Sequence, residues 1–305
     1  MAHEKPLIRK RRGAGRVTIT AVARQAGVSA ITVSRYFNQP EQVSPELRER
    51  IANTVNALGY VPNLVAGGLA SARSRVVAMM IPNISGPIFA NTIQGFSDTL
   101  SQHGFQLLLA SSYFSAEQEE SAVRAFLGWS PAALVLTSRF HSSATEKMIE
   151  QTDVPVIETW DYQPDRSPIQ IGFSHYDVGV MAARYLHDKG YRRIAFVQNS
   201  IAADFSALER RDGYAATVEE LGIRPWVFVP DADRAPFEAG KQAMETLMDH
   251  NPRPDAIFFA NDNLAAGALL ASQRAGLHIP QDCAVMGFGD YAFAEMMLPS
   301  LTTIK

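Results

Sequence analysis

The chain has 305 residues, of which 47% are hydrophobic and 19% are charged. This length exceeds that of a usual single domain, so more than one packed unit is expected. No apolar run approaches the roughly 20 residues that cross a bilayer, and no apolar stretch near the N-terminus resembles a secretion signal. Cys283 is the only cysteine, which excludes intramolecular disulfides and cysteine-rich metal clusters. We therefore expect a cytoplasmic protein that has no membrane partner.

The net charge of −3 conceals an uneven distribution along the chain. Residues 1–63 contain 10 Lys and Arg against 4 Asp and Glu, whereas the remainder contains 18 against 27. A basic head on an acidic body indicates a polyanionic partner for the head. For residues 1–16 alone, a solvated and disordered leader explains the basic residues equally well, so the function of the head depends on the residues that follow.

Residues 17–62 have the pattern of three short helices. Thr18, Ser29 and Ser44 each precede an apolar pattern of helical period and are of the type that caps a helix N-terminus. Gly27 is expected to end the first helix, because glycine adopts the left-handed conformation at low cost. Three small helices in this order form a bundle whose second helix can enter a DNA major groove.

The second helix is predicted to have an exposed face suited to DNA. Its apolar residues Val33 and Phe37 face the bundle core. The opposite side carries Ala30, Ile31, Ser34 and Arg35. Small, hydroxylic and Arg side chains favour groove entry, whereas a solvated face would be richer in Lys and Glu. Arg35 can donate two hydrogen bonds to guanine, a contact that contributes about 1–3 kcal/mol of base discrimination.

The segment TITAVARQAGVSAITVSRYFN, followed by VSPELRERIANTVNALGYVPN, resembles the head of the LacI/GalR family of transcription regulators. The resemblance implies a sequence-specific regulator that binds double-stranded operator DNA as a homodimer. It implies that Ala30, Ile31 and Arg35 face base edges. It implies that Ser29, Thr32, Ser34 and Asn38 contact phosphates or hold the recognition helix, and we count Thr18 and Asn63 as further DNA-binding positions.

Residues 63–74 correspond to the hinge of this family. In the family, paired hinges become helical on the operator and insert a leucine into the minor groove, and Leu69 matches that leucine. Gly67 and Gly68 each destabilise a helix interior by about 1 kcal/mol. These glycines indicate a hinge helix that is weaker or more dependent on DNA, with a plain flexible linker as the alternative.

From residue 75 onward, short apolar runs alternate with segments of helical period. The runs up to residue 173 are VVAMMI, QLLLA, AALVLT, PVIE and IQIGF, and those that follow are RIAFV, WVFV, AIFFA and AVMGF. This alternation predicts an α/β fold of open parallel sheets covered by helices on both faces. A break near residue 173 divides the strands into two sheets, so a ligand is expected in the crevice at the carboxyl ends of the strands.

The resemblance extends to the body through RRDGY at 210–214, NDNLAAG at 261–267 and GLHIPQDCAVMGF at 276–288. It implies a two-lobed body like that of periplasmic binding proteins, behind the helix-turn-helix head. The family continues beyond Lys305 with a crossover strand and a further first-lobe helix, so we interpret the C-terminus as truncated. The predicted organisation comprises a leader (1–16), a DNA-binding domain (17–62), a hinge (63–74), a first lobe (75–173, with 302–305 as the crossover) and a second lobe (174–301).

Three first-lobe segments resemble the gluconate-type repressors within the family: LTSRFH at 136–141, KMIE at 147–150 and PVIE at 155–158. We therefore expect a small-molecule effector that is a sugar acid, with another sugar or metabolite as the alternative. We also expect no aromatic platform from residues 231–240, which favours an open-chain polyol acid over a pyranoside. The effector is predicted to contact Phe89, Arg139, His141, Glu158, Phe173, Arg210, Asn261 and Asp290.

Three of these residues have a structural alternative that the sequence leaves open. Arg139, at the end of a predicted strand, is placed to clamp a carboxylate but could instead pair with Glu146 on the surface. His141 could be an ordinary loop residue rather than a ligand contact. Arg210 matches a family arginine that grips the ligand, but it could form a surface ion pair on its helix.

Two further positions in the second lobe are also open. Asn261 could contact the ligand, cap the helix that follows it, or do both. The assignment of Asp290 as a ligand contact is weaker, because many family members have aspartate one position earlier, where this chain has Gly289.

A catalytic function is not indicated. We find no G-x-S-x-G elbow, no H-E-x-x-H, no P-loop and no G-x-G-x-x-G that opens a helix after a strand, and we expect no cofactor. A solute-binding protein would share the two-lobed architecture, but the attached head argues against it. The default mechanism is repression relieved by ligand, and corepression would use the same parts.

Overall fold

The computed structural model describes residues 17–62, 74–84, 86–164, 166 and 168–305. The chain divides into two compact units, Met1–Ala72 and Arg73–Lys305. In the described residues, no helix has both the length and the apolar character needed to cross a membrane. The two units are described here as the head and the body.

The head is a bundle of three helices, each of which begins at a capping side chain. The helices are α1 (Ile19–Ala26), α2 (Ala30–Asn38) and α3 (Pro45–Leu58), with a 3₁₀ turn at Pro40–Gln42. The hydroxyls of Thr18, Ser29 and Ser44 accept hydrogen bonds from backbone N–H groups in the first turns of these helices. Gly27 ends α1 with φ of 66°, as predicted. Val22, Val33 and Ile51 are completely buried and form the centre of the head.

The first sheet of the body has five parallel strands in the order β2-β1-β3-β4-β5. Its strands are β1 (Val76–Ile81), β2 (Gln106–Ser111), β3 (Ala133–Thr137), β4 (Val156–Thr159) and β5 (Ile169–Ile171). The helices between them are α4 (Pro87–Gln102), α5 (Ala116–Gly128) and α6 (Ser143–Gln151). Each strand coincides with one of the apolar runs predicted from the sequence.

The second sheet has four parallel strands in the order β7-β6-β8-β9. Its strands are β6 (Ile194–Val197), β7 (Val227–Phe228), β8 (Ala256–Phe259) and β9 (Ala284–Met286). The helices around it are α7 (His175–Asp188), α8 (Phe205–Glu220), α9 (Pro236–Met248) and α10 (Asp262–Arg274), and a 3₁₀ turn follows at Ala294–Met296. Every residue of β6, β8 and β9 is buried, as expected for strands that helices cover on both faces.

The C-terminal residues pair with the second sheet. Thr302 forms an isolated parallel bridge with Met286, and the carbonyl groups of Thr302 and Ile304 accept hydrogen bonds from Gly287 and Gly289. The prediction that residues 302–305 belong with the first lobe therefore needs correction. These residues lie along the edge strand β9, whose backbone groups on that side are not paired with another strand.

Helices α7 and α8 approach each other closely at two glycines. A Cβ atom on Gly179 would overlap the backbone of Arg210, and one on Gly213 would overlap the carbonyl oxygen of Tyr176. The two glycines are required by this backbone contact and not by their φ angles. Arg210 is on α8, one turn before Gly213. The close contact between α7 and α8 therefore also fixes the position of the Arg210 backbone.

Replacing Gly213 by alanine should lower the free energy of unfolding by about 1–3 kcal/mol, because the added methyl group forces α7 and α8 apart. Urea denaturation of the full chain measures this change. Gly95→Ala is a matched control, since Gly95 is in α4 and an added Cβ there meets no atom within 4 Å. Gly95→Ala should stabilise the protein by about 0.5–1 kcal/mol. Equal stability of Gly213→Ala and the parent chain would refute the close contact.

Candidate functional site

The four residues predicted on the exposed face of α2 differ in their exposure. Ile31 is 66% exposed and Arg35 is also exposed, so both project away from the head. Ala30 and Ser34 are only half-buried, and Ala30 packs against the apolar core of the head. Ile31 and Arg35 are thus the most exposed of the four predicted residues, and the contact of Ala30 with the core reduces its exposure.

Polar side chains hold both ends of α2. Ser29 Oγ accepts a hydrogen bond from the backbone N–H of Thr32, and the two hydroxyl groups are 2.9 Å apart. At the other end, the Asn38 amide donates to the Ser34 carbonyl at 3.0 Å and to its hydroxyl at 3.3 Å. These contacts fit the expected support of a recognition helix. The predicted positions Asn63 and Leu69 lie outside the described residues.

The body contains a cavity of about 460 Å³ at the carboxyl ends of the strands of both sheets. Its wall contains residues that follow seven strands within two positions, as the topology of parallel sheets predicts; Phe288, after β9, is one of them. The other six follow β1, β2, β3, β4, β6 and β8. These residues are Pro82, Ser112, Ser138, Trp160, Asn199 and Asn261. The volume suits a ligand the size of a small metabolite.

Aromatic rings form much of the cavity wall. They belong to Phe89, Phe114, Phe140, Trp160, Phe205, Phe288 and Tyr291. None of them comes from residues 231–240, so the expectation that this segment supplies no aromatic platform stays a prediction, while aromatic residues from other segments line the cavity. The aromatic residue of the segment 231–240 is Phe237, which packs near Phe293, with ring centroids 6.3 Å apart.

Arg210 is a buried cation on the cavity wall. Its residue is 4% exposed, and its guanidinium carbon lies 4.4 Å from the centroid of the Phe288 ring. Nη1 donates a hydrogen bond to His175 Nδ1 at 2.8 Å, whereas Nε is buried and has no hydrogen-bond partner. Within the described chain, Arg210 forms no salt bridge, and burial lowers its pKa despite the charges of Asp204 and Glu209. The alternative of a surface ion pair is thus wrong for Arg210.

His175 connects this arginine to the end of strand β4. Its Nε2 donates to the Trp160 carbonyl oxygen at 2.9 Å, since a carbonyl group can only accept. Its Nδ1 consequently accepts from Arg210. Burial and the nearby Arg210 charge lower the pKa of His175 to about 3, so the ring is neutral. The backbone of Trp160, the His175 ring and the Arg210 guanidinium therefore form one hydrogen-bonded row.

Arg139 does not pair with Glu146 and is engaged by other carboxylates. Its guanidinium forms an ion pair with Glu209 on α8, and its Nε lies 3.4 Å from Asp161 Oδ1. Burial raises the pKa values of both carboxyl groups despite the nearby Arg139 charge. The neighbouring ring of Phe140 stacks on Phe205 of α8, with centroids 4.9 Å apart. Arg139 thus links the strand end after β3 to α8, and its side chain is not available as a free clamp.

His141 and Glu158 lie behind the cavity wall in a buried row of charges. The His141 side chain is completely buried, with Nδ1 2.9 Å from Glu119 Oε1 and Nε2 3.6 Å from Glu158 Oε1. Glu158 accepts two hydrogen bonds of 2.6 Å from Arg166, which also donates to Glu146 at 2.9 Å. The predicted ligand contacts of His141 and Glu158 are therefore replaced by ion pairs, and Glu119 is the member of the row that lines the cavity.

The charges in this row follow from its contacts. Burial alone would lower the pKa of His141, but hydrogen bonds and attraction from Glu119 and Glu158 raise it to about 9. Burial would likewise raise the pKa of Glu158, but hydrogen bonds from His141, Arg166 and Gln170 lower it to about 2. His141 is thus protonated and Glu158 ionised at neutral pH.

The remaining predicted effector residues occupy different positions. Phe89 and Asn261 line the cavity, and Asn261 also caps α10 by accepting from the N–H of Leu264 at 3.1 Å. Phe173 is 36% exposed and packs beside the rings of Trp160, His175 and Phe288. Asp290 lies 3.2 Å from Lys305 Nζ, outside the cavity wall.

The sequence reasoning missed Trp160, His175, Glu119 and Phe288 as wall residues. Trp160 follows β4 by one residue and Phe288 follows β9 by two, so the rule for carboxyl ends of parallel strands could have identified them. Glu119 and His175 gave no such signal, since each lies within the first turns of a helix.

Comparisons with known proteins agree with this architecture. Residues 18–63 match the family described as bacterial regulatory proteins, lacI family, and residues 183–305 match a periplasmic binding protein-like domain. The chain is 30% identical over 289 residues to the HTH-type transcriptional regulator GntR of Escherichia coli (strain K12), covering 95% of this chain and 86% of that protein. The chain belongs to the LacI family of bacterial regulatory proteins.

Other LacI-family comparisons give the same assignment. The HTH-type transcriptional regulator GntR of Pseudomonas aeruginosa is 32% identical over 295 residues, covering 96% of this chain and 85% of that protein. A LacI-family regulator from Silicibacter pomeroyi has a TM-score of 0.87 at 28% identity, covering 94% and 86% of the two chains. The lac repressor dimer bound to operator and the anti-inducer ONPF has a TM-score of 0.82 at 26% identity, covering 94% and 87%.

These LacI-family relationships confirm three predictions from the sequence. The chain is a DNA-binding transcriptional regulator, its head is a helix-turn-helix unit, and its body is an α/β unit of the periplasmic-binding-protein type. As a member of this family, it binds operator DNA and a small-molecule effector. The individual site residues and the domain boundaries stay predictions.

Proposed function

We propose that the effector is a small sugar acid of the gluconate type, which binds in the cavity of the body and controls operator affinity. Arg210 carries this proposal, because a buried guanidinium without an ion-pair partner on a cavity wall is matched by a ligand carboxylate. The similarity to two proteins named GntR supports the same ligand class. The cavity is proposed to bind this ligand without changing it chemically.

The rest of the wall suits a ligand with several hydroxyl groups. Asn199, Asn261, Asn263, Ser112 and Ser138 present amide and hydroxyl groups to the cavity. Each can donate to or accept from a hydroxyl group. Aromatic rings cover the apolar C–H faces of such a ligand, so the wall has partners for both parts of a polyol chain.

Operator binding is proposed to use a homodimer, as in the lac repressor dimer bound to operator. Ile31 and Arg35 are the proposed base contacts, because their side chains are exposed on α2. Ser29, Thr32, Ser34 and Asn38 are proposed to hold this helix or to contact phosphates. Because its target is chromosomal DNA, the regulator is proposed to act in the cytoplasm.

The proposed control is a population shift between conformations with different operator affinities. The ligand must bind one conformation several kcal/mol more tightly than the other to change occupancy of the operator substantially. Contacts of α8 with residues after β3 and β4, such as Arg139 with Glu209, would differ between such conformations. The default direction is release of DNA on binding of ligand.

Replacing Arg35 by alanine should relax sequence preference at one base pair in each half-site, at a cost of about 1–3 kcal/mol per half-site. The measurement is a mobility shift on DNA selected from random sequence and on its single-base variants. Arg50→Ala is the control, since Arg50 is an exposed arginine on α3 and not on the recognition helix. Unchanged base preference in Arg35→Ala would contradict the assigned contact, and ligand binding should be the same in both variants.

The effector is tested by calorimetry and mobility shift with gluconate, related aldonates and pyranosides. We expect aldonates to bind and to change the fraction of operator bound. Binding of pyranosides alone, with no response to any sugar acid, would refute the proposed ligand class while leaving the DNA-binding function intact.

A further inference from the structure

Glu119 is the carboxylate that the buried row of charges presents to the cavity. It is on the first turns of α5, it is 8% exposed, and it lines the cavity. His141 Nδ1 lies 2.9 Å from Oε1, so the histidine occupies one of the two carboxylate oxygens. Among the described residues, Oε2 has no hydrogen-bond partner, so it is free to accept a hydrogen bond from a ligand.

The charges behind Glu119 do not neutralise the row. It contains three carboxylates, Glu119, Glu158 and Glu146, and two cations, His141 and Arg166. His141 is shared between Glu119 and Glu158, and Arg166 is shared between Glu158 and Glu146. One negative charge therefore remains, and the cavity is bordered by the carboxylate at one end of the row.

Arg210 supplies the opposite charge from another element of the same wall. Arg210 is on α8, after the second-sheet strand β6, whereas Glu119 is on α5, after the first-sheet strand β2. Two further carboxylates line the cavity. Glu117 is exposed and accepts a hydrogen bond from Ser115. Asp204 is buried at the start of α8 and accepts hydrogen bonds from the Asn199 amide and the Ala207 N–H. The α8 side of the cavity thus has the Arg210 cation together with the Asp204 carboxylate, which donors of its own helix and loop already satisfy, whereas the α5 side has the buried Glu119 carboxylate.

We propose that Glu119 is a specificity-determining residue that selects polyhydroxylated monocarboxylic acids and rejects the corresponding dicarboxylic acids. This inference rests on the proposed sugar-acid effector. A ligand with one carboxylate places it at Arg210 and donates a hydroxyl hydrogen to Glu119 Oε2. A ligand of the same length with carboxylates at both ends places a second negative charge against Glu119, which repels it in a site removed from solvent.

The test measures the dissociation constants of gluconate and glucarate by calorimetry on the full chain. The two acids have the same number of carbon atoms and differ at one end, where glucarate has a second carboxylate. The parent chain should bind gluconate at least about tenfold more tightly than glucarate, because like charges brought together at a binding site cost several kcal/mol. Glu119→Gln should reduce this ratio by about tenfold or more.

Two control variants distinguish a loss of ligand selectivity from a loss of protein stability. Glu120→Gln changes the next residue of α5, which pairs with Arg124 at the surface, and should keep the parent ratio. Glu119→Asp keeps the charge and should keep most of the discrimination. The ratio of two constants within one variant does not depend on the fraction of folded protein.

Each result has one interpretation. If gluconate and glucarate bind the parent chain equally well, or if Glu119→Gln leaves the ratio unchanged, Glu119 only anchors His141 and the selectivity proposal is overturned, while the sugar-acid effector stands. If neither acid binds the parent chain, the sugar-acid effector fails, and the selectivity proposal fails with it.

Discussion

Replacing Arg210 by methionine should weaken binding of gluconate by about 10- to 150-fold. A hydrogen bond from a charged group contributes about 1.5–3 kcal/mol, and a tenfold change in affinity corresponds to about 1.4 kcal/mol. Methionine fills similar space beside Phe288 and removes a buried charge, so the fold should tolerate the change. Calorimetry with gluconate measures the effect, and the thermal unfolding of the free variant reports its stability.

The matched control for this prediction is Arg211→Met. Arg211 is the next residue of α8, but it pairs with Asp212 and is not part of the cavity wall. Its replacement should leave the affinity for gluconate within about twofold, as usual for a surface residue away from a site. A folded Arg210→Met chain with the affinity of the parent chain would show that another group receives the carboxylate.

Replacing Arg166 by methionine should lower the free energy of unfolding by about 3–5 kcal/mol, since the buried Glu158 carboxylate loses the partner that donates two of its hydrogen bonds. Glu158 is completely buried and receives two of its hydrogen bonds from Arg166. His141 and Gln170 remain as partners but cannot replace both bonds. Urea denaturation at neutral pH measures the loss.

Arg124→Met provides the comparison for Arg166. Arg124 also pairs with a glutamate, Glu120, but its side chain is 67% exposed, so its loss should cost less than about 1 kcal/mol. Adding Glu158→Gln to Arg166→Met should restore part of the lost stability, because it removes the buried charge that lost this partner. A small effect of Arg166→Met by itself would mean that Glu158 is protonated or hydrated in the folded protein.

The fold was predictable to a large extent because its signals are local. The nine apolar runs coincide with the nine described strands, and the capping residues of the head begin the helices that the sequence predicted. Residues 302–305 are the exception. Their partner, the edge of β9, is chosen by tertiary contact and not by any pattern in the four residues themselves.

The cavity was predictable in place but only partly in detail. The carboxyl ends of the strands locate it, and Phe89, Arg210 and Asn261 lie in its wall as expected. The partners of the charged residues were not predictable, since they come from distant parts of the chain. Arg139 pairs with Glu209, 70 residues away, and Glu146 pairs with Arg166. The spacing of charged residues along the sequence does not predict such pairs.

The pKa values of the two histidines near the cavity, His141 and His175, are shifted in opposite directions. His141, between two carboxylates, titrates near 9, whereas His175, beside a guanidinium, titrates near 3. Between about pH 5 and 7.5, where an ordinary histidine changes charge, both keep a constant protonation state. The charges of the two histidines that contact Glu119 and Arg210 therefore stay constant over this pH range, so these contacts do not change with moderate changes in pH.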